Sequence, residues 1–96
     1  MEDFWPFDQT ENVATITTRQ VLKEGFPILR VVHYLDDHSW AFTCGTTDNT
    51  DDAMVVSMKR MAEHDSSLFQ LADLPPGFGA WREDINSPWN RYKIQD

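Results

Sequence analysis

The apolar residues of this chain fall into short runs divided by polar punctuation, and no single period holds from end to end. The most β-like run, residues 28–35 (ILRVVHYL), is rich in β-branched and aromatic side chains and predicts a strand. The polar cluster Asp36, Asp37, His38 and Ser39 separates it from a second extended run, WAFTC. There Trp40, Phe42 and Cys44 share one face at the two-residue period, and Ala41 and Thr43 the other. Together the runs predict a β-hairpin with a half-buried antiparallel strand, closed by Gly45.

Upstream, residues 13–16 alternate weakly, as a short strand does. Thr17 followed by Gln20 has the spacing of a capping box that opens a helix over residues 19–24, with Gly25 at its stop. Residues 46–52 form a polar loop whose last acids suit a helix N-terminus. Met54 or Val55, Met58, Met61 and Ala62 then recur at helical spacing, with Lys59 and Arg60 toward the end, although Val55 and Val56 equally suit a strand. Asp65 or Ser66 caps a second short helix carrying Leu68, Leu71 and Ala72. It ends by Leu74, because a residue before proline avoids the helical region.

The stretch LADLPPGFGAWRED, residues 71–84, is a helix-to-strand corner. Pro75 and Pro76 stop the helix, and Gly77 and Gly79 supply backbone freedom. Residues 78–83 continue as a strand with Trp81 pointing one way and Arg82 the other. Asn86, Ser87 and Pro88 make a turn before Trp89, and the charged NRYKIQD is expected to fray. The expected organisation is a partly ordered arm (1–12), one α+β domain (13–91) and a tail (92–96). The domain is expected to be a small antiparallel sheet of three to five strands with two or three short helices packed on one face.

Length and composition agree with one domain. A chain of 96 residues buries about 65% of its unfolded surface in a single core, and 41% hydrophobic and 12% aromatic residues supply the apolar area. No run approaches the roughly 18 apolar residues of a membrane helix, and the N-terminal MEDFWPFDQTEN carries acids where a signal peptide carries bases, so a cytoplasmic protein without a membrane partner is expected. Cys44, the one cysteine, has no internal disulfide partner and reads as a buried, inert thiol.

Sixteen acids against eight bases give a net charge of -8, which repels phosphate backbones and argues against nucleic acid. The same charge favours a basic protein partner, or simply maintains solubility. The acidic stretch DNTDD does not read as a calcium loop, because Ala53 stands where glycine is needed and Lys59 where a bidentate glutamate is needed. His33, His38 and Cys44 match no closed zinc spacing, the glycines form no phosphate cradle, and no histidine has a nucleophile at a suitable spacing. No catalytic residue, cofactor or metal is therefore assigned. Trp81, Arg82, Trp89 and Arg91 are residue types that interfaces favour, set against the plainer reading that the tryptophans fill the core.

The segments WAFTCG, DSSLFQLADLPPGFGAWRED and SPWNR resemble a widespread group of small bacterial domains, domain of unknown function 2185, grouped with immunity protein 33 of toxin systems. The resemblance spans residues 13–91, and its most specific parts are LADLPPG, the following AWR and the late PW. It implies a compact α+β domain without shared catalytic residues, and a toxin as binding partner. Ser66 and Ser67 depart from an expected Pro-Ser, and DDHS replaces a more acidic, glycine-bearing turn.

The leading expectation is a noncatalytic acidic interaction domain, of toxin-immunity type if the resemblance holds. It meets a basic partner through Asp36, Asp37, Asp48, Asp51 and Asp52, with Trp81, Arg82 and Trp89 as further contacts. A rival expectation is a small-ligand-binding domain or hydrolase with a pocket beside Gly77 to Arg82, anchored by His33 or Arg82. A third is a structural module, monomer or homodimer, that dimerises through an exposed sheet edge.

Overall fold

The structure is a computed structural model that describes residues 5–7, 9–45 and 50–94. Six strands form one sheet: β1 (Ala14–Thr18), β2 (Arg30–His33), β3 (Trp40–Thr43), β4 (Ala53–Ser57), β5 (Phe78–Trp81) and β6 (Asn90–Lys93). Their order is β4-β1-β3-β2-β5-β6. Helix α1 (Arg19–Lys23), helix α2 (Met58–His64) and a 3-10 helix (Ser66–Leu71) bury Val21, Met58, Met61, Leu68 and Leu71 in one core with Trp40, Phe42 and Val31 of the sheet. The α+β class is as expected, but the sheet has six strands rather than three to five and is mixed rather than antiparallel.

Parallel pairing enters at β1, which lies beside β3 with Ile16 opposite Ala41. Two threonine hydroxyls of β1 point inward, where burial demands acceptors. Thr17 donates to the Phe42 carbonyl at 2.6 Å and Thr15 to that of Val56 at 3.1 Å. This overturns the capping box: Thr17 is a buried strand residue, and Thr18 occupies the N-cap of α1 with no side-chain hydrogen bond. Gly25 ends the turn as expected, at φ 76°.

The expected hairpin is present, Arg30 to His33 pairing with Thr43 to Trp40 in reverse order. Ala41 is nevertheless buried, since β3 is an interior strand of the sheet. The Met54 to Ala62 run divides at Ser57, whose hydroxyl caps α2 by accepting from Arg60 N at 3.1 Å. Before that point the β-branched Val55 and Val56 lie in β4, every residue of which pairs with β1. The tail also differs from expectation. Asn90–Lys93 is not frayed but forms β6, the antiparallel neighbour of β5. Of the N-terminal aromatics, Trp5 and Phe7 pack on their own domain: Phe7 is buried edge-on against Trp40, ring centres 5.4 Å apart, with Trp5 behind it, while Phe4 lies outside the described residues.

Alternation sends Trp81 outward and Arg82 inward, as expected. Arg82 is 4% exposed. Its guanidinium donates to the Ile28 carbonyl (3.0 Å), Ser67 Oγ (3.1 Å) and Asp65 Oδ2 (2.8 Å), and Trp89 stacks on it at 4.2 Å. One side chain thus ties the end of β5 to the approach to β2, to the N-cap of the 3-10 helix and to the turn before β6. Burial alone raises the Asp65 carboxyl, but hydrogen bonds from Ser67 and Arg82 outweigh it and hold the group below its usual range.

Two outcomes follow from this bridge. Arg82→Ala lowers unfolding free energy by about 3 kcal/mol in urea denaturation, the cost of leaving a partly buried carboxylate without its cation. Because the folded Asp65 titrates below the unfolded value near 4, its stabilisation is full above that pH and is lost as pH falls through the folded value. The stability gap between wild type and Asp65→Asn therefore narrows below about pH 4.

Candidate protein-interaction site

The end of the sheet where β2 turns into β3 is built by three segments. The first is the Pro75 to Gly77 corner. Gly77, at φ 87°, donates its N–H to the His33 carbonyl at 2.7 Å, while its own carbonyl accepts from Ile94 N at 2.9 Å. A Cβ at this position would sit 3.8 Å from Leu35, an ordinary contact, so the backbone conformation rather than space calls for glycine. The second segment is His33 itself, buried and stacked on Trp40 with ring centres 4.0 Å apart. Its Nδ1 lies 2.7 Å from the Leu74 carbonyl. A carbonyl only accepts, which places the proton on Nδ1.

Gln9 is the third. Its Nε2 donates to the His38 carbonyl at 3.0 Å and its Oε1 accepts from Trp40 Nε1 at 2.9 Å, while Trp5 Nε1 donates to its backbone carbonyl at 2.7 Å. This clamp holds the tip of the β2–β3 turn, where His38 has a left-handed φ of 60°, alone among the described non-glycine residues. Such a conformation costs about 1 kcal/mol or more and persists where neighbours fix it. Within the turn, Ser39 N donates to Asp37 Oδ1 at 3.0 Å, and hydrogen bonding from Ser39 keeps the Asp37 carboxyl below its usual range. Asp36 and Asp37 are both exposed.

Beside this turn lies a groove of about 830 Å³ lined by Val32, Tyr34, Leu35, Tyr92 and Ile94 together with the charged Asp36 and Lys93. Tyr34, Leu35 and Tyr92 are 42%, 59% and 40% exposed. Gly79 forms the floor under Tyr92. A Cβ on it would come within 2.5 Å of the tyrosine Cζ and hydroxyl. Trp81 continues the same face and shares a second hollow with Arg30 and Tyr92. Arg30 is the one charged residue among the described strand positions that share the parity of Val32, Trp81 and Tyr92, in a strongly acidic chain.

Of the residues expected at a partner surface, Asp36, Asp37 and Trp81 lie exposed on or beside this face. Arg82 lies inside the fold, and Trp89 is half-buried against it. Asp52 receives hydrogen bonds from Arg19 and Gln20, both at 3.0 Å, at the far side of the sheet, and exposed Asp51 adjoins it. Asp48 falls outside the described residues. Arg91 bridges Asp73 at 2.7 Å. The proposed polar anchors of a ligand pocket, His33 and Arg82, are both held by carbonyls of the chain. Sequence reasoning missed Gln9, Tyr34, Leu35 and Tyr92. For Tyr34 a signal existed, since it shares parity with Arg30 and Val32 on the outer face of β2, whereas no local pattern marks Gln9.

Among the described residues no three His, Cys, Asp or Glu side chains gather as a metal site, and no helix is long and apolar enough to cross a membrane. Comparison with protein-family models finds none that matches, and neither the curated proteins nor the solved structures give a match.

Gln9→Ala removes the clamp and leaves Trp40 Nε1 without its acceptor. Stability falls by about 1–2 kcal/mol, and NMR relaxation shows new motion at residues 36–39 while β5 is unchanged.

Proposed function

We propose that this chain is a noncatalytic protein-binding domain that recognises a basic residue flanked by apolar ones. The observation that supports it is the pairing of two exposed carboxylates, on a turn clamped by Gln9, with an open groove formed by Tyr34, Leu35 and Tyr92. Apolar contact supplies the area and the carboxylates supply orientation and charge selection. A fixed turn lowers the ordering cost of binding, because Asp36 and Asp37 are already placed. A basic toxin neutralised by surface coverage in the cytoplasm is the partner class we favour, in line with the sequence resemblance.

The test uses an array of peptides that place Lys or Arg next to Leu, Phe or Trp, compared with a matched array carrying Asp or Glu. The basic set binds, weakens at least several-fold as salt rises from about 0.05 to 0.5 M, and shifts the NMR signals of Tyr34, Leu35 and Tyr92. Asp36→Asn with Asp37→Asn reduces binding about tenfold or more, and Tyr92→Ala does the same through the groove. Equal binding of the acidic set, or shifts confined to the opposite edge of the sheet, would contradict the proposal.

A further inference from the structure

The two edges of the sheet differ. The β6 edge, NRYK, carries Arg91 and Lys93, the kind of charge that discourages strand addition. The β4 edge, AMVVS, carries neither charge nor proline nor glycine. Val55 at its centre is 72% exposed, more than any other large hydrophobic residue of the described core domain.

The direction of the β4 backbone groups follows from one hydrogen bond. Met58 N donates to the Val13 carbonyl at 2.9 Å, one step beyond the β1–β4 ladder. In an antiparallel pair such bonds recur at every second residue, so Val56 and Met54 address β1. Val55 and Ala53 therefore present their N–H and C=O groups to the free edge. The flanking sequence is polar in a directional way: Asp51 and Asp52 precede the strand, and Lys59 and Arg60 follow it.

We propose that β4 pairs with β4 of a second copy, antiparallel and two-fold symmetric about Val55, joining two six-stranded sheets into one. In this register Val55 exchanges both backbone hydrogen bonds with Val55 of the second copy, and Ala53 stands opposite Ser57. The acidic flank before one strand then lies beside the basic first turn of α2 after the other, Asp51 nearest Lys59, twice by symmetry, while Asp52 keeps its hydrogen bonds from Arg19 and Gln20. Parallel addition would instead set acid against acid, which a chain of net charge -8 disfavours. Opposite Val55 on β1 stands Ile16, 40% exposed, so the joint is also an apolar row of Ile16, Val55, Val55 and Ile16. The groove lies at the β6 side and stays open in each copy.

Sedimentation equilibrium of the full chain tests this, with mass rising from 11.2 kDa toward twice that value as concentration increases. Val55→Lys keeps the circular dichroism of wild type, because its side chain is exposed, and weakens the dimer at least tenfold. Lys59→Glu also weakens it, and Asp51→Lys combined with Lys59→Glu restores it. Tyr92→Ala, at the other side of the sheet, leaves it unchanged. A wild-type chain that stays at 11.2 kDa throughout, Val55→Lys dimerising as tightly as wild type, or a dimer lost with Tyr92→Ala would overturn the assignment.

Discussion

The position of the candidate site depends on one peptide unit, Gly77, whose N–H is tied to β2 and whose carbonyl is tied to the chain leaving β6. These two hydrogen bonds carry the pairing of β2 and β6 with β5 on to the end of the sheet, where Tyr34 and Tyr92 line one groove. The left-handed φ at Gly77 makes the connection possible, and the two prolines before it fix the approach. Leu74 adds a third tie by accepting from His33, so the corner is held by backbone groups rather than by side-chain packing alone.

A second constraint is electrostatic. A chain with twice as many acids as bases has few cations to distribute, and the fold places them unequally. Arg82 is inside, where it satisfies the Ile28 carbonyl and Asp65, and Arg19 and Arg91 are paired with carboxylates. Arg30 alone sits among the apolar positions of the outer face. The exposed carboxylates of Asp36 and Asp37 thus border an apolar surface, which gives a partner both contact area and a charge to recognise. At the opposite edge, β4 is neutral between two oppositely charged flanks, a pattern that suits antiparallel self-pairing.

Much of the fold was legible wherever the determinant was local. The β2–β3 hairpin, the helix stop at Gly25, the 3-10 helix capped by Asp65 and the opposed directions of Trp81 and Arg82 all follow from turn residues or from the period-2 pattern. The parallel placement of β1 was not legible, because it rests on Thr17 reaching the Phe42 carbonyl, a contact 25 residues away. Likewise β6 reads as a polar tail by composition and is a strand only because β5 offers it an edge. The site was half legible. Asp36 and Asp37 stand out as turn acids, whereas the groove is made by Tyr34, Leu35 and Tyr92, which meet only after β2 and β6 are brought to either side of β5.

The most direct measurement of the central claim is native-state hydrogen exchange at single amides. If the corner locks this end of the sheet, the Gly77 and Ile94 amides exchange as slowly as the Val31 and Phe42 amides of the interior strands β2 and β3. Exchange of Gly77 and Ile94 at the rate of an open loop, with Val31 and Phe42 still protected, would contradict it and leave the groove without a fixed frame.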